Sequence, residues 1–135
     1  MLKKTIKYTD YNDNHREETF YFNLSKAELS EMQLSAQGGL EALIKRIIEE
    51  QNVPEIIKIL KEIILKAYGE KSDDGKVFMK SPELSHKFEC TEAYSELFME
   101  IVSTPENAMS FINGILPEEI RKQIKEESAK QSTNA

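Results

Sequence analysis

The stretch TFYFNLSKAEL, residues 19–29, marks the point where the spacing of apolar side chains changes. In its first half the apolar residues alternate, so Phe20 and Phe22 would share one face of a β-strand and pack inward. Its second half contains Ser25-Lys26-Ala27-Glu28. This is a capping box, in which the serine hydroxyl and the glutamate carboxylate each accept a hydrogen bond from the other residue's backbone amide. The stretch therefore predicts a strand that leads directly into a helix.

A second extended segment precedes this strand. Residues 5–8 are rich in β-branched and aromatic side chains, and the turn-forming residues 10–14 separate them from the strand at residues 16–22. Alternate residues from Asp10 onward also match the first ligand positions of a calcium-binding EF-hand loop, but His15 stands where that loop needs glycine. We therefore predict an N-terminal β-hairpin and interpret residues 10–14 as its turn.

Beyond residue 29 the apolar residues recur every three or four positions, as in helices that bury one face. The stripes cover residues 40–48, 53–68, 84–102 with a break near 90–92, and 108–116. Ser81-Pro82-Glu83 and Thr104-Pro105-Glu106 each supply a capping hydroxyl, a proline and an acidic residue, which are typical of helix starts. Residues 76–80 alternate and predict a short strand.

Together these patterns predict an α+β fold that is predominantly α-helical, with an N-terminal β-hairpin packed on about five helices. The short strand at residues 76–80 would add a third strand to the hairpin. Pro117 follows the last packed stripe. We expect a single domain over residues 1–117 and a polar, partly disordered C-terminal tail over residues 118–135.

The composition excludes several classes of protein. The chain has 135 residues, 18 basic and 24 acidic, and a net charge of −6, which argues against nucleic acid or an anionic membrane as its main partner. Uninterrupted apolar runs are too short to span a bilayer. Cys90 is the only cysteine, so an intrachain disulfide cannot form. We expect a soluble cytosolic protein.

Two residues, His86 and Cys90, are the best candidates for chemistry. They are four positions apart on a predicted helix, which suits a shared metal ion or a cysteine nucleophile with a histidine base. His15 is the only other histidine, no second cysteine exists, and no glycine-rich turn lies nearby. We therefore expect no catalytic site, no metal and no cofactor, and interpret Cys90 as a small packed residue.

Three apolar residues, Ile59, Leu65 and Met99, fall outside the main apolar arcs of their helices. Such residues either extend the burial of a central helix or bind a partner. We predict that Leu65 binds a partner. Of the three residues, Ile59 lies closest to its apolar stripe, so it is the one that we most expect to be buried. For Met99 the periodicity favours neither role.

Five segments, taken in order, resemble tail assembly chaperones of long-tailed bacteriophages and prophages. They are residues 19–29, Gly38-Gly39-Leu40 with the helix after it, 67–72 (AYGEKS), 91–98 (TEAYSELF) and 111–117 (FINGILP). The likeness runs from about Lys3 to Pro117. It consists of similar segments in the same order and includes no catalytic signature.

This resemblance implies a function that is not enzymatic. A tail assembly chaperone binds the tape measure protein before the tail tube polymerises around it, and it is absent from the mature virion. In this family a frameshifted longer form often recruits the tail tube protein. The resemblance does not fix the oligomeric state, and a homo-oligomer is one of the alternatives.

An alternative function fits the same composition. A small acidic cytosolic regulatory module, of the antitoxin or anti-repressor type, would also bind a protein partner without catalysis. Gene neighbourhood distinguishes the two functions, because a chaperone gene would lie between those of a tail tube protein and a very long tape measure protein.

Overall fold

The two N-terminal strands form the predicted hairpin. In the computed structural model, which describes residues 1–32, 39, 42, 45, 49 and 53–122, β1 (Leu2–Thr9) pairs antiparallel with β2 (His15–Phe22). The Asp10 carboxylate caps the turn, because its Oδ1 atom accepts hydrogen bonds from the backbone amides of Asn12 and Asn14, each at 2.9 Å. The interpretation of residues 10–14 as a turn is confirmed.

Five helices with defined bounds follow the hairpin in the described residues. They are α1 (Lys26–Glu31), α2 (Val53–Ala67), α3 (Pro82–Glu89), α4 (Glu92–Val102) and α5 (Pro105–Ile115). Two short strands, β3 (Tyr68–Lys71) and β4 (Phe78–Met79), lie between α2 and α3. The apolar side chains of the predicted stripe at residues 40–48 lie outside the described residues, as do residues 123–135.

The helix starts agree with their sequence signals. The Ser25 hydroxyl accepts from the Glu28 amide at 3.2 Å and the Glu28 carboxylate accepts from the Ser25 amide at 3.0 Å, which completes the capping box. Ser81 and Thr104 cap α3 and α5, each ahead of a proline in the first turn. The break near residue 91 is also confirmed, since Thr91 caps the separate helix α4. The fold is α+β and predominantly helical, as predicted.

The sheet is larger than the sequence predicts. It has four strands in the order β1-β2-β3-β4, and β3 pairs antiparallel with β2 through Tyr21↔Gly69 and Phe22↔Tyr68. The apolar stripe over residues 53–68 predicts that Tyr68 belongs to the helix, but Tyr68 begins β3. Its backbone pairs with Phe22 of β2, and its ring stacks on that of Phe88 at 4.2 Å.

The core lies between one face of this sheet and the helices. Phe22 and Phe88 are almost fully buried, and the Phe22 ring meets those of Tyr68, Phe88 and Phe111 at 5.4–5.8 Å between centroids. Phe20 also faces inward and contacts Phe88 at 5.2 Å. The predicted inward orientation of Phe20 and Phe22 is therefore confirmed.

Packing continues past Pro117. Residues 118–122 are helical, and the Arg121 amide donates to the Pro117 carbonyl at 3.1 Å, so this proline begins a helical turn. Ile120 packs against the core, and Lys26 pairs with Glu119 at 2.5 Å. The packed chain thus extends into the segment that the sequence assigned to a polar tail.

Candidate functional site

A groove of about 690 Å³ lies between α1, α2 and the start of α3. Its apolar lining comes from Met32, Leu65 and Pro82, and its polar lining includes Glu28, Glu62 and Lys80. We call it the Leu65 groove. The predicted partner-binding residue Leu65 thus lies in a concave surface built from three separate segments of the chain.

The apolar part of the groove is only partly covered. Leu65 and Met32 are half-buried and pack against the core from its edge. The Ser85 hydroxyl donates to the Leu65 carbonyl at 3.0 Å and fixes α3 against α2. This hydrogen bond joins α2 and α3 at Leu65, while part of the apolar surface of Leu65 and Met32 stays accessible.

Lys80 lines the groove and joins its neighbouring segments. Its Nζ atom donates to the carbonyls of Asn23 at 2.5 Å and Lys66 at 2.9 Å, and to the Glu28 carboxylate at 2.5 Å. These acceptors belong to the β2–α1 connection, α2 and α1. One ammonium group therefore joins α1 and the connection before it to α2.

The electrostatics of this pair follow from its partial burial. Burial lowers the pKa of Lys80 below its ordinary value, and the Glu28 carboxylate opposes that shift only in part. Burial also acts to raise the pKa of Glu28, but hydrogen bonds from Lys80 and Ser25 outweigh it and leave that pKa below its ordinary value. Glu28 is therefore ionised at neutral pH.

The other two predicted binding residues lie elsewhere. Ile59 is 9% exposed and belongs to the core, as its position beside the apolar stripe suggested, so it offers no surface to a partner in this conformation. Met99 is 62% exposed on α4 and does not line the Leu65 groove. Sequence reasoning missed Lys80, since a lysine between a strand and a helix start carries no local sign of burial.

The two candidates for chemistry, His86 and Cys90, lie beside each other at the end of α3. Cys90 Sγ lies 3.7 Å from His86 Nε2, and His86 Nδ1 lies 3.9 Å from the Glu89 carboxylate. The His86 and Cys90 side chains are both exposed. The expectation that Cys90 is packed is wrong, because its side chain is exposed at the C-cap of α3. Within residues 1–32 and 53–122 the structure contains no cluster of three or more His, Cys, Asp or Glu residues that could hold a metal ion.

A family model described as phage tail assembly chaperone matches residues 1–135. The chain belongs to this family. No curated protein and no solved structure showed significant similarity to it. Phage tail assembly chaperones are not a class of enzymes. In the described part of this family member, no helix is long and apolar enough to cross a membrane.

The Glu28–Lys80 pair predicts acid sensitivity. A carboxyl group whose pKa is lower in the folded state stabilises the fold above its unfolded pKa, near 4.5, and this contribution is lost as the pH falls through the folded value. We expect the urea midpoint to fall between pH 7 and about pH 3, and Glu28→Gln to reduce that fall. Glu31→Gln, at an exposed residue of the same helix, is the control. Equal pH dependence in both variants would contradict the role of the pair.

Proposed function

We propose that the protein is a phage tail assembly chaperone that binds the tape measure protein in the cytoplasm of the bacterial host and assists tail tube assembly. It would leave the tail before the virion matures. The observation that supports this proposal is the Leu65 groove, a partly exposed apolar surface on a chain of this family. The family match favours this function over the regulatory alternative.

The shape of the groove suits one face of an amphipathic helix. A helical client presents apolar side chains three or four residues apart, which dock into a hydrophobic groove between the helices of its partner. Leu65 and Met32 would contact such side chains, while Glu62 and Lys66 at the rim are exposed and available to polar groups of the client. A longer frameshifted form would add contacts to the tail tube protein.

The size of the groove also suits temporary binding. Among the described residues, only a few half-buried apolar side chains line the groove, and ordering a client offsets part of the free energy gained by covering them. A chaperone that is absent from the finished particle needs a complex that dissociates. The groove therefore provides contact without the extensive apolar interface of a permanent complex.

Leu65→Asp tests this proposal directly. A carboxylate in the groove would oppose docking of apolar side chains, so we expect the affinity for a helical tape measure fragment to fall roughly tenfold or more, equal to about 1.4 kcal/mol. Calorimetric titration measures the affinity. Because Leu65 is partly accessible, we expect the variant to stay folded, with a melting temperature a few degrees lower, as measured by circular dichroism.

Two exposed positions provide comparisons. Val77→Asp adds the same charge at a residue that does not line the groove, and should leave the affinity within about twofold. Met99→Asp tests the second predicted residue, and a loss of affinity there together with Leu65→Asp would extend the client surface to α4. Unchanged affinity in a folded Leu65→Asp variant would contradict the proposal.

A further inference from the structure

One face of the β1–β2 hairpin is exposed along most of its length. Along β1 the residues that alternate with the core face, Lys3, Thr5, Lys7 and Thr9, are all exposed. Their cross-strand partners on β2 include Glu17 and Thr19, which are exposed, and Tyr21, which is half-buried. We call this surface the open sheet face.

The charge of the open sheet face is opposite to that of the chain. Lys3, Lys7 and Lys71 lie on it against Glu17, a net charge of +2, whereas the whole chain has a net charge of −6. Within the described residues, neither Lys3 nor Lys7 forms an ion pair. Their ammonium groups are therefore available to carboxylates of a partner.

An aromatic strip lies beside these lysines. Tyr21 pairs with Gly69, and the absence of a side chain at Gly69 lets the Phe78 ring lie against the β3 backbone, where a Cβ atom would be 2.7 Å from the ring. The Lys71 ammonium group lies 5.8 Å from the centre of the Tyr21 ring. Tyr21 and Phe78 are both half-buried, and Lys71 and Lys80 lie beside their rings.

From this arrangement we propose that the open sheet face is a second interaction surface, which binds an acidic segment of a partner protein. Carboxylates of that segment pair with Lys3 and Lys7, and an aromatic or aliphatic side chain between them lies on the strip of Tyr21 and Phe78. This surface adjoins the Leu65 groove, because the Lys80 Nζ atom, which lines the groove, lies 5.6 Å from the centre of the Phe78 ring. The protein would then hold two partners at once, a helix in the groove and an acidic segment on the sheet.

The occupant is a protein segment and not a nucleic acid. The basic area has three lysines, and the chain around it is acidic. A polyanion long enough to reach beyond the open sheet face would therefore meet repulsion at its ends. An acidic segment with a few carboxylates matches the small basic area without extending beyond it.

Fluorescence anisotropy with a labelled peptide, in which glutamate alternates with phenylalanine and glycine, tests the proposal on the full chain. At low ionic strength we expect this peptide to bind more tightly than its glutamine analogue, with the difference reduced by salt. Lys3→Glu combined with Lys7→Glu should weaken binding roughly tenfold or more. Lys58→Glu combined with Lys87→Glu makes the same change of charge on exposed helix residues and should weaken it less than about threefold.

Several outcomes would overturn the proposal. They are equal binding of the two peptides by the unaltered chain, an equal loss in the two double variants, and tighter binding of oligo-dT than of the acidic peptide. Sedimentation measures the oligomeric state of the chain. Self-association that Lys3→Glu combined with Lys7→Glu abolishes would mean that a second copy occupies the face, and this result would also overturn the proposal. Circular dichroism confirms folding of each variant, and Lys71→Glu gives an independent arm, since it should weaken peptide binding as well.

Discussion

Phe88→Ala is expected to lower the free energy of unfolding by about 3–5 kcal/mol, as is typical when a buried aromatic side chain is truncated. The Phe88 side chain is 2% exposed, and its ring meets those of Phe20, Phe22, Tyr68 and Tyr94 at 4.2–5.8 Å between centroids. Truncation would leave a cavity at the point where the sheet and helices meet. Because domains of this size are stable by about 5–15 kcal/mol, much of the total would be lost.

Urea denaturation followed by circular dichroism measures this effect. Tyr21→Ala is the matched control, because it removes an aromatic ring from the opposite face of the same sheet, where the side chain is only half-buried. We expect it to cost less than about 2 kcal/mol. If the two variants lost equal stability, the aromatic cluster would not be the centre of the core.

Gly69→Ala should destabilise the protein by about 1–3 kcal/mol, although it adds only one methyl group. The new Cβ atom would lie 2.7 Å from the Phe78 ring and 2.8 Å from the Met79 carbonyl oxygen. A ring can turn away, but the carbonyl belongs to the β4 backbone, so relief of the contact requires β3 and β4 to separate. Lys80 directly follows β4, and we expect the separation to disturb the Leu65 groove as well.

Gly114→Ala provides the comparison for this effect. Its new Cβ atom would come within 2.9 Å of Leu2, but the contacted atom is the end of a flexible side chain, and alanine is favoured over glycine inside a helix. We expect a change below about 1 kcal/mol in either direction. Thermal unfolding measures the stability of both variants. Hydrogen exchange of the β4 amides then shows whether the backbone of β4 moves in Gly69→Ala, as we expect, and stays in place in Gly114→Ala. Undisturbed β4 amides in Gly69→Ala would contradict the proposed backbone displacement.

Sequence reasoning succeeded where the structure depends on nearby residues. The hairpin turn, the capping box at Ser25 and the proline-assisted helix starts each arise within a few positions, and all are present. It failed at Tyr68, because this residue continues the apolar period of α2 and its strand partner, Phe22, is far away in sequence. Periodicity also assigned Val53 to a buried face, yet it is 60% exposed at the start of α2.

In the candidate site, too, the sequence predicts what depends on nearby residues and misses what depends on distant ones. Leu65 stood out because it lies at the edge of its helical stripe, and that property is visible in the sequence. The groove around it also needs Met32, Lys80 and Pro82 from other segments, and nothing local places them together. The burial of Lys80 depends on two carbonyl groups contributed by distant parts of the chain. Sequence can thus identify the residue but not the cavity.

The pairing of β3 with β2 sets an order of events during folding. The β1–β2 hairpin is joined by a tight turn and can form within microseconds, soon after these strands leave the ribosome. Its second edge stays unpaired until the whole of α2 has been synthesised, because Tyr21 must wait for Gly69. Closing so long a loop is slow relative to local steps. The nascent chain therefore carries an exposed strand edge for much of its synthesis, and premature association with other chains is the hazard at that stage.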